Sequence, residues 1–107
     1  QGEAYTKRAL VLAVIKHHCN ANQNLSKNDL KTAFPQELQG SAGVFINFEE
    51  AQQILAKTGH IRHFLNDDDI VDIEDSKFAV STQWGKDNIL QFIGRAKNLG
   101  YSIEAIV

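Results

Sequence analysis

The longest uninterrupted apolar segment of the chain runs from Ala9 to Ile15 and is seven residues long. A helix that crosses the hydrocarbon core of a membrane needs about 20 such residues, so this segment belongs in the interior of a folded domain. Because the segment is apolar on most sides of a helix, it predicts a central helix. We place this helix at about Ala4–His18, with Thr6 able to cap it.

Three further helices are predicted from capping residues, stop signals and apolar residues at helical spacing. Ser26 begins the second helix and Pro35 ends it, because the residue before a proline is disfavoured in the α region. Asn47 caps the third helix, and Gly59 is a good C-terminal stop. The three predicted helices cover Ser26–Phe34, Phe48–Thr58 and Asp87–Asn98.

Alternating apolar side chains after the third helix predict a small sheet. The candidate strands are Ile61–Leu65, the segment marked by Ile70, Val71 and Ile73, the segment marked by Phe78, Val80 and Thr82, and a closing strand of Tyr101, Ile103 and Ala105 or Ile106. Between the second and third helices, Gly40 and Gly43 predict a tight turn. The rest of Gln36–Ile46 gives no clear prediction.

These elements predict one α+β domain over residues 1–107, with Gln1 and Gly2 set aside as a remnant of proteolytic processing. Its N-terminal half is helical, and a sheet of three or four strands with a C-terminal helix and strand follows. Three helices before a β-hairpin is the element order of a winged helix, so the N-terminal half is winged-helix-like. The expected core is Leu10, Val14, Leu30, Phe34, Ile54, Leu55, Val80, Phe92 and Ile93.

The histidines, the single cysteine and the acidic run are the possible metal ligands. His17, His18 and Cys19 are consecutive on a helix and point about 100° apart, so they cannot share one ion. The run from Asp67 to Asp75 lacks the glycine of a calcium loop, and we interpret it as a solvated turn, with metal binding left open. We therefore expect no metal and no cofactor. The other candidate metal ligands are His60 and His63.

The single cysteine and the catalytic motifs that the sequence lacks bear on cellular location and on enzymatic activity. With one cysteine it can form no internal disulfide, so the cytoplasm is the expected location. Cys19 is expected to be a packed residue. The chain contains no nucleophile elbow, phosphate-binding loop, dinucleotide-binding motif or zinc-protease motif. Gly40-Ser41-Ala42-Gly43 lacks the preceding strand that an elbow requires, and we expect a protein that is not an enzyme.

Double-stranded DNA is the partner that the element order favours. In winged-helix proteins the third helix enters the major groove and the hairpin contacts the backbone. The candidate DNA-binding residues are Gln52, Gln53, Lys57, Arg62, His63 and Lys77, and a second basic set is Lys86, Arg95 and Lys97. Glu49, Glu50 and the acidic run oppose this interpretation because they repel phosphate. The net charge of −2 favours the alternative, a protein–protein interaction, dimerisation or regulatory domain.

Trp84 has two interpretations. An exposed tryptophan can serve as a stacking platform for a base or as an anchor for a partner. Large rings are more often buried, so we expect Trp84 to cover the edge of the core.

Two segments carry a resemblance to other proteins. LKTAFPQELQGSAGVF (30–45) and FAVSTQWGKDNILQFIGRAKNLGY (78–101) resemble a small module of uncharacterised bacterial proteins, some of them in restriction or defence settings. The segments cover about 40 of the 107 residues. The resemblance implies a bacterial or phage origin and an accessory domain that accompanies other domains of a larger chain. It assigns no functional residue.

Overall fold

The computed structural model describes residues 6–22, 24–40, 43–73 and 76–101, and these form the α+β fold that the sequence predicts. The helices are α1 (Lys7–Ala21), α2 (Lys27–Ala33), α3 (Phe48–Thr58) and α4 (Lys86–Asn98). The strands are β1 (Phe45–Asn47), β2 (Val71–Ile73) and β3 (Ser76–Val80), which pair antiparallel in the order β1-β3-β2. Short 3-10 turns lie at Gln36–Leu38 and Asp67–Asp69. None of the described helices has the length and apolarity needed to cross a membrane.

The predicted caps at Thr6, Ser26 and Gly59 are confirmed, whereas the Asn47 side chain makes no capping bond to the backbone of α3 and donates instead to Glu50 Oε1 at 3.1 Å. The Thr6 hydroxyl accepts a hydrogen bond from the Ala9 amide at 3.3 Å. Ser26 and Asp29 form a reciprocal capping box, with bonds of 3.1 and 3.0 Å. Gly59 ends α3 in the left-handed conformation, with φ of 71°. Because these signals act within four residues of the chain, they can be read from the sequence alone.

The end of the first predicted helix and one predicted strand differ from the structure. Helix α1 continues to Ala21, three residues beyond the predicted end, and its His18 ring packs edge-on against Phe34 at the end of α2. Ile61–Leu65 makes only an isolated bridge, between His63 and Ser81. The predicted closing strand from Ile103 onward lies outside the described residues.

Strand β1 comes mainly from the segment Gln36–Ile46, which gave no clear prediction. Strand β1 pairs with the end of β3, with Phe45 opposite Val80 and Asn47 opposite Phe78. It is only three residues long, and a strand of this length shows no alternation to detect. Gly40 and Gly43 do carry the positive φ angles expected for the predicted tight turn.

The main core lies between one face of the sheet and helices α1, α2 and α4. Phe45, Phe78 and Val80 face these helices and belong to one buried apolar cluster. Six of the predicted core residues belong to it, namely Val14, Leu30, Phe34, Val80, Phe92 and Ile93. Leu10 packs on its edge and is half-buried. The stacked rings of Phe34 and Phe92, 5.4 Å apart, join α2 to α4.

Helix α3 covers the opposite face of the sheet. Successive side chains of a strand point to opposite faces, so Ala79 points away from the main core, yet it is fully buried. The element that packs on β3 there is α3, whose Ala51 is also buried. Ile54 and Leu55 are half-buried and lie outside the main cluster, which corrects their predicted place in the core.

The position of α3 departs from the winged-helix expectation. Strand β1 separates α2 from α3, and α3 packs mainly on β1 and β3. The linker between the two helices contributes a strand because Phe45 and Ile46 hydrogen-bond to β3. The α+β class is confirmed. The sheet is the middle of three layers, with α3 alone on one face and α1, α2 and α4 on the other.

Candidate nucleic-acid interface

Helix α3 is fastened to the sheet at both of its ends. It begins directly after Asn47, which pairs with Phe78 of β3. Beyond its C-terminal end, the Arg62 carbonyl accepts a hydrogen bond from the Thr82 amide at 2.9 Å. The helix is 11 residues, or about 16 Å, long, and the segment from Phe78 in β3 to Thr82 just beyond it spans about 14 Å if extended. Helix α3 therefore lies along β3, and the side of the helix that faces away from the sheet is exposed to solvent.

The outward side of α3 is polar and exposed. Gln52, Gln53 and Lys57 all lie on it, and Gln53 and Lys57 are neighbours one helical turn apart. The inward side buries only Ala51 fully. Three of the six predicted DNA-binding residues are therefore together on one accessible helix surface.

Arg62 lies four residues beyond the C-terminal end of α3. Its side chain is exposed, while its backbone is held by Thr82. Within the described residues, neither Lys57 nor Arg62 forms an ion pair. Lys57 on α3 and Arg62 beyond it are thus two exposed cations without an ion-pair partner in the described part of the chain.

Lys77 does not join this group. It lies at the start of β3, five residues from Thr82, which is about 17 Å along a strand. Its ammonium group is 3.7 Å from a carboxylate oxygen of Asp72 on β2, and both side chains are well exposed. The sheet therefore places Lys77 toward the N-terminal end of α3, which carries Glu49 and Glu50, and away from Arg62.

The placement of His63 contradicts its prediction as a DNA-binding residue. Its side chain is only 2% exposed, and neither ring nitrogen has a hydrogen-bond partner among the described atoms. The bridge to Ser81 explains the burial. Ser81 follows Val80 in an extended strand, so by alternation the pair lies on the face that α3 covers. Burial, and next the Arg62 charge, lower the pKa of His63.

The second basic set does not form a common surface with α3. The Arg95 guanidinium donates to the backbone carbonyls of Ala33 at 2.6 Å and Thr32 at 3.0 Å. It is therefore engaged in holding α4 to the end of α2. Lys86 and Lys97 are exposed on α4, on the other side of the sheet from α3.

A pair of lysines that was missed in the sequence lies near the N-terminal end of α3. Lys27 and Lys31 line a shallow cleft of about 140 Å³ between α2 and β1, together with Asn47 and Glu50. The Lys27 ammonium group sits 5.5 Å from the centre of the Phe78 ring. Only the i, i+4 spacing could have indicated the pair, and that spacing does not show that α2 faces the start of α3.

Two of the side chains considered for metal binding, His18 and Cys19, have structural roles. His18 Nδ1 lies 2.7 Å from the Tyr101 hydroxyl, within hydrogen-bond distance. Cys19 packs against the main core, as predicted, and burial raises the pKa of its thiol to about 11. No group of three or more His, Cys, Asp or Glu side chains that could hold a metal ion occurs in the described parts of the chain.

Trp84 covers the edge of the core, as predicted. Its ring meets Phe92 edge-on with centroids 5.3 Å apart, and its Nε1 donates to the Ser81 carbonyl at 2.9 Å. Because this bond fixes the ring against the core, Trp84 is not presented as a free stacking platform.

Comparison with known proteins adds no relative to this description. No protein-family model, curated protein or solved structure matches the chain.

Proposed function

We propose that this protein is a non-catalytic module that binds double-stranded DNA through the outward side of α3. In this proposal it is an accessory domain of a bacterial or phage protein in the cytoplasm, winged-helix-like in its element order but with α3 packed on the sheet. The observation that carries the proposal is the position of α3 as an outer layer, with Gln52, Gln53 and Lys57 exposed on one surface.

The dimensions of the helix support this proposal. An α-helix with its side chains is about 10–12 Å wide, and the major groove of B-DNA is about 12 Å wide. Because α3 lies outside the sheet, it can enter a groove without displacing α1, α2 or α4. Glutamine side chains can bond both N6 and N7 of adenine, which is a role for Gln52 and Gln53.

The charges on α3 favour docking through its C-terminal half. Lys57 and Arg62 are available for phosphate contacts there, whereas Glu49 and Glu50 repel phosphate at the other end. Two phosphate contacts predict that the logarithm of the affinity falls with the logarithm of salt concentration with a slope of about −2. The expected binding is therefore weak and clearest at low salt.

The experiment is an anisotropy titration of a labelled duplex of about 20 base pairs in low salt. The double substitution Lys57→Ala with Arg62→Ala should weaken binding at least tenfold and remove most of the salt dependence, because about 0.9 of the slope comes from each phosphate contact. Gln53→Ala should reduce the preference among duplex sequences. Lys86→Ala removes an exposed cation from α4 and is the matched control.

Two results would contradict DNA binding through α3. One is the absence of binding to any duplex at tens of micromolar protein in low salt. The other is an equal loss of affinity in Lys86→Ala and in the double variant.

Protein–protein interaction is the second candidate function, and Ile61 favours it. This side chain is 67% exposed directly before Arg62, and exposed apolar side chains can anchor a protein partner. The substitution Ile61→Lys separates the two functions. If the surface binds DNA, the added cation should raise the affinity for duplex, whereas a surface that binds protein loses its anchor.

A further inference from the structure

The exposed side of α4 carries two features that the single chain does not explain. Leu90 is 60% exposed, although it is a large apolar side chain on a helix with a well-formed buried side. Gly94 lies one turn later, and a Cβ atom built on it would meet nothing within 4 Å. A glycine inside a helix is destabilising relative to alanine, and no contact within the described chain requires it.

These two residues lie on one narrow stripe of α4. Asp87, Leu90, Gly94 and Lys97 follow the spacing i, i+3, i+7, i+10, which is the a/d spacing of a coiled-coil seam. At 3.6 residues per turn they fall within an arc of about 80°. All four are exposed. The side of α4 that packs on the main core consists of Ile89, Phe92, Ile93 and Ala96.

We infer that this stripe of α4 packs against the same stripe of a second copy of the chain, with the two helices antiparallel. A two-fold axis passing beside Phe92 places Leu90 opposite Gly94 of the second copy, and the reverse. The same register places Asp87 opposite Lys97 of the second copy. The surface is therefore complementary to itself in both shape and charge, as a two-fold interface requires.

The charges also select the direction of the helices. A parallel pair would place Asp87 beside Asp87 and Lys97 beside Lys97, which is repulsive at both ends. Among the described residues of their own chain, neither side chain has an ion-pair partner. Pairs at the rim of an interface contribute more to specificity than to affinity, so these two set the register.

The close approach of the two helices depends on Gly94. Without a side chain there, the opposite helix can approach until Leu90 fills the space above the glycine backbone. The interface is one helix pair about 20 Å long, which is small beside the roughly 1,600 Å² of a standard stable interface. The dimer should therefore be weak and reversible.

The first test is sedimentation equilibrium of the full chain from 10 µM to 1 mM. The wild-type protein should show a monomer–dimer equilibrium, and Leu90→Lys and Gly94→Leu should each raise its dissociation constant at least tenfold. Circular dichroism should show both variants folded, since the added side chains point into open space. Asn20→Lys, at an exposed position of α1, is the matched control, because it adds the same cation outside the stripe and should leave the dissociation constant unchanged.

The second test exchanges the charges. Asp87→Lys and Lys97→Asp should each weaken self-association, because like charges then face each other twice. Mixing the two single variants should produce a heterodimer, and the double variant should recover wild-type association. A wild-type protein that stays monomeric to 1 mM would overturn the inference. Unchanged association in Leu90→Lys, or a double variant no better than the single ones, would do so as well.

Discussion

At the scale of single residues, Gln36 organises the segment that precedes β1. Its side-chain oxygen accepts hydrogen bonds from the amides of Val44 at 2.6 Å and Phe45 at 3.2 Å, and its Nε2 donates to the Phe45 carbonyl at 2.9 Å. Gly43 makes room for this contact, since a Cβ there would lie 2.9 Å from the Gln36 oxygen. One side chain thus satisfies three backbone groups and places β1 beside β3.

Replacement of Gln36 by alanine should lower the free energy of unfolding by about 1–3 kcal/mol, because buried backbone groups lose their partners. Urea unfolding followed by circular dichroism measures this loss. Gln52→Ala removes an exposed glutamine and should change stability by less than about 0.5 kcal/mol. Equal stability of the two variants would show that water replaces the Gln36 amide.

Local signals in the sequence predicted the residues that act locally. Thr6, Ser26 and Gly59 were predicted correctly because each cap involves neighbours in the chain. Gln36 was not singled out, since its partners lie eight and nine residues further on. His63 was a predicted DNA-binding residue because its side chain can carry a positive charge close to the third helix, and only the pairing with Ser81 shows that it is buried.

At the scale of elements, Arg95 connects two helices that are distant in the sequence. Its guanidinium donates to the carbonyls of Thr32 and Ala33 at the C-terminal end of α2. The last carbonyls of a helix have no partner within the helix, so α4 supplies donors that α2 lacks. The short helix α2, only seven residues long, depends on such tertiary contacts.

Arg95→Met should retain the aliphatic packing of this side chain and lose its hydrogen bonds. We expect the free energy of unfolding to fall by about 1–3 kcal/mol, because the bonds involve a charged donor. Thermal unfolding of the variant measures the effect. Lys86→Met, an exposed substitution on the same helix, should leave the melting temperature nearly unchanged. A similar melting temperature in both variants would contradict the connecting role.

All four helices could be predicted from the sequence, whereas the sheet could be predicted only in part. The helices carry caps and apolar spacing that extend over many residues. Strand β1 is short, and its existence depends on β3, which lies more than 30 residues later in the chain. For the same reason the sequence did not show that α3 lies across the sheet from the other helices.

At the scale of the whole molecule, we expect the half-buried His18 and the buried His63 to make the free energy of unfolding depend on pH. Burial lowers the pKa of His63 and of His18, with a smaller contribution from the neighbouring charges of Arg62 and His17. The unfolded chain therefore binds more protons than the folded one once the pH falls below the ordinary histidine value of about 6.5. Above that pH both histidines are uncharged in the folded and the unfolded chain, and the folded state has its full stability. The free energy of unfolding then decreases as the pH falls toward the lowered pKa values of His18 and His63.

Urea unfolding of the wild-type protein should accordingly give a lower free energy of unfolding at pH 5.5 than at pH 7.5. His63→Leu removes a group that must remain uncharged in the folded state, so the variant should lose less stability over this range. His60→Leu, at an exposed position, should decline as the wild type does. A decline in His63→Leu as steep as in the wild type would exclude His63 as a source of the pH dependence.

Only part of the candidate DNA surface could be predicted from the sequence, because the rest depends on how the chain is arranged in three dimensions. The spacing of Gln52, Gln53 and Lys57 along α3 indicates a shared helix surface. The separation of Lys77 from Arg62 follows from the direction of β3, which no local pattern reveals. The three-dimensional path of the chain thus decided which of the predicted residues are neighbours.

The outer position of α3 has a consequence for how this scaffold can diversify. Its outward side chains have no part in the main core, and its inward side is anchored by small and half-buried residues. Mutations on the outward side can therefore accumulate without disturbing folding. Homologous chains could acquire new targets by changing a handful of solvent-facing positions, while the layers beneath keep the same architecture.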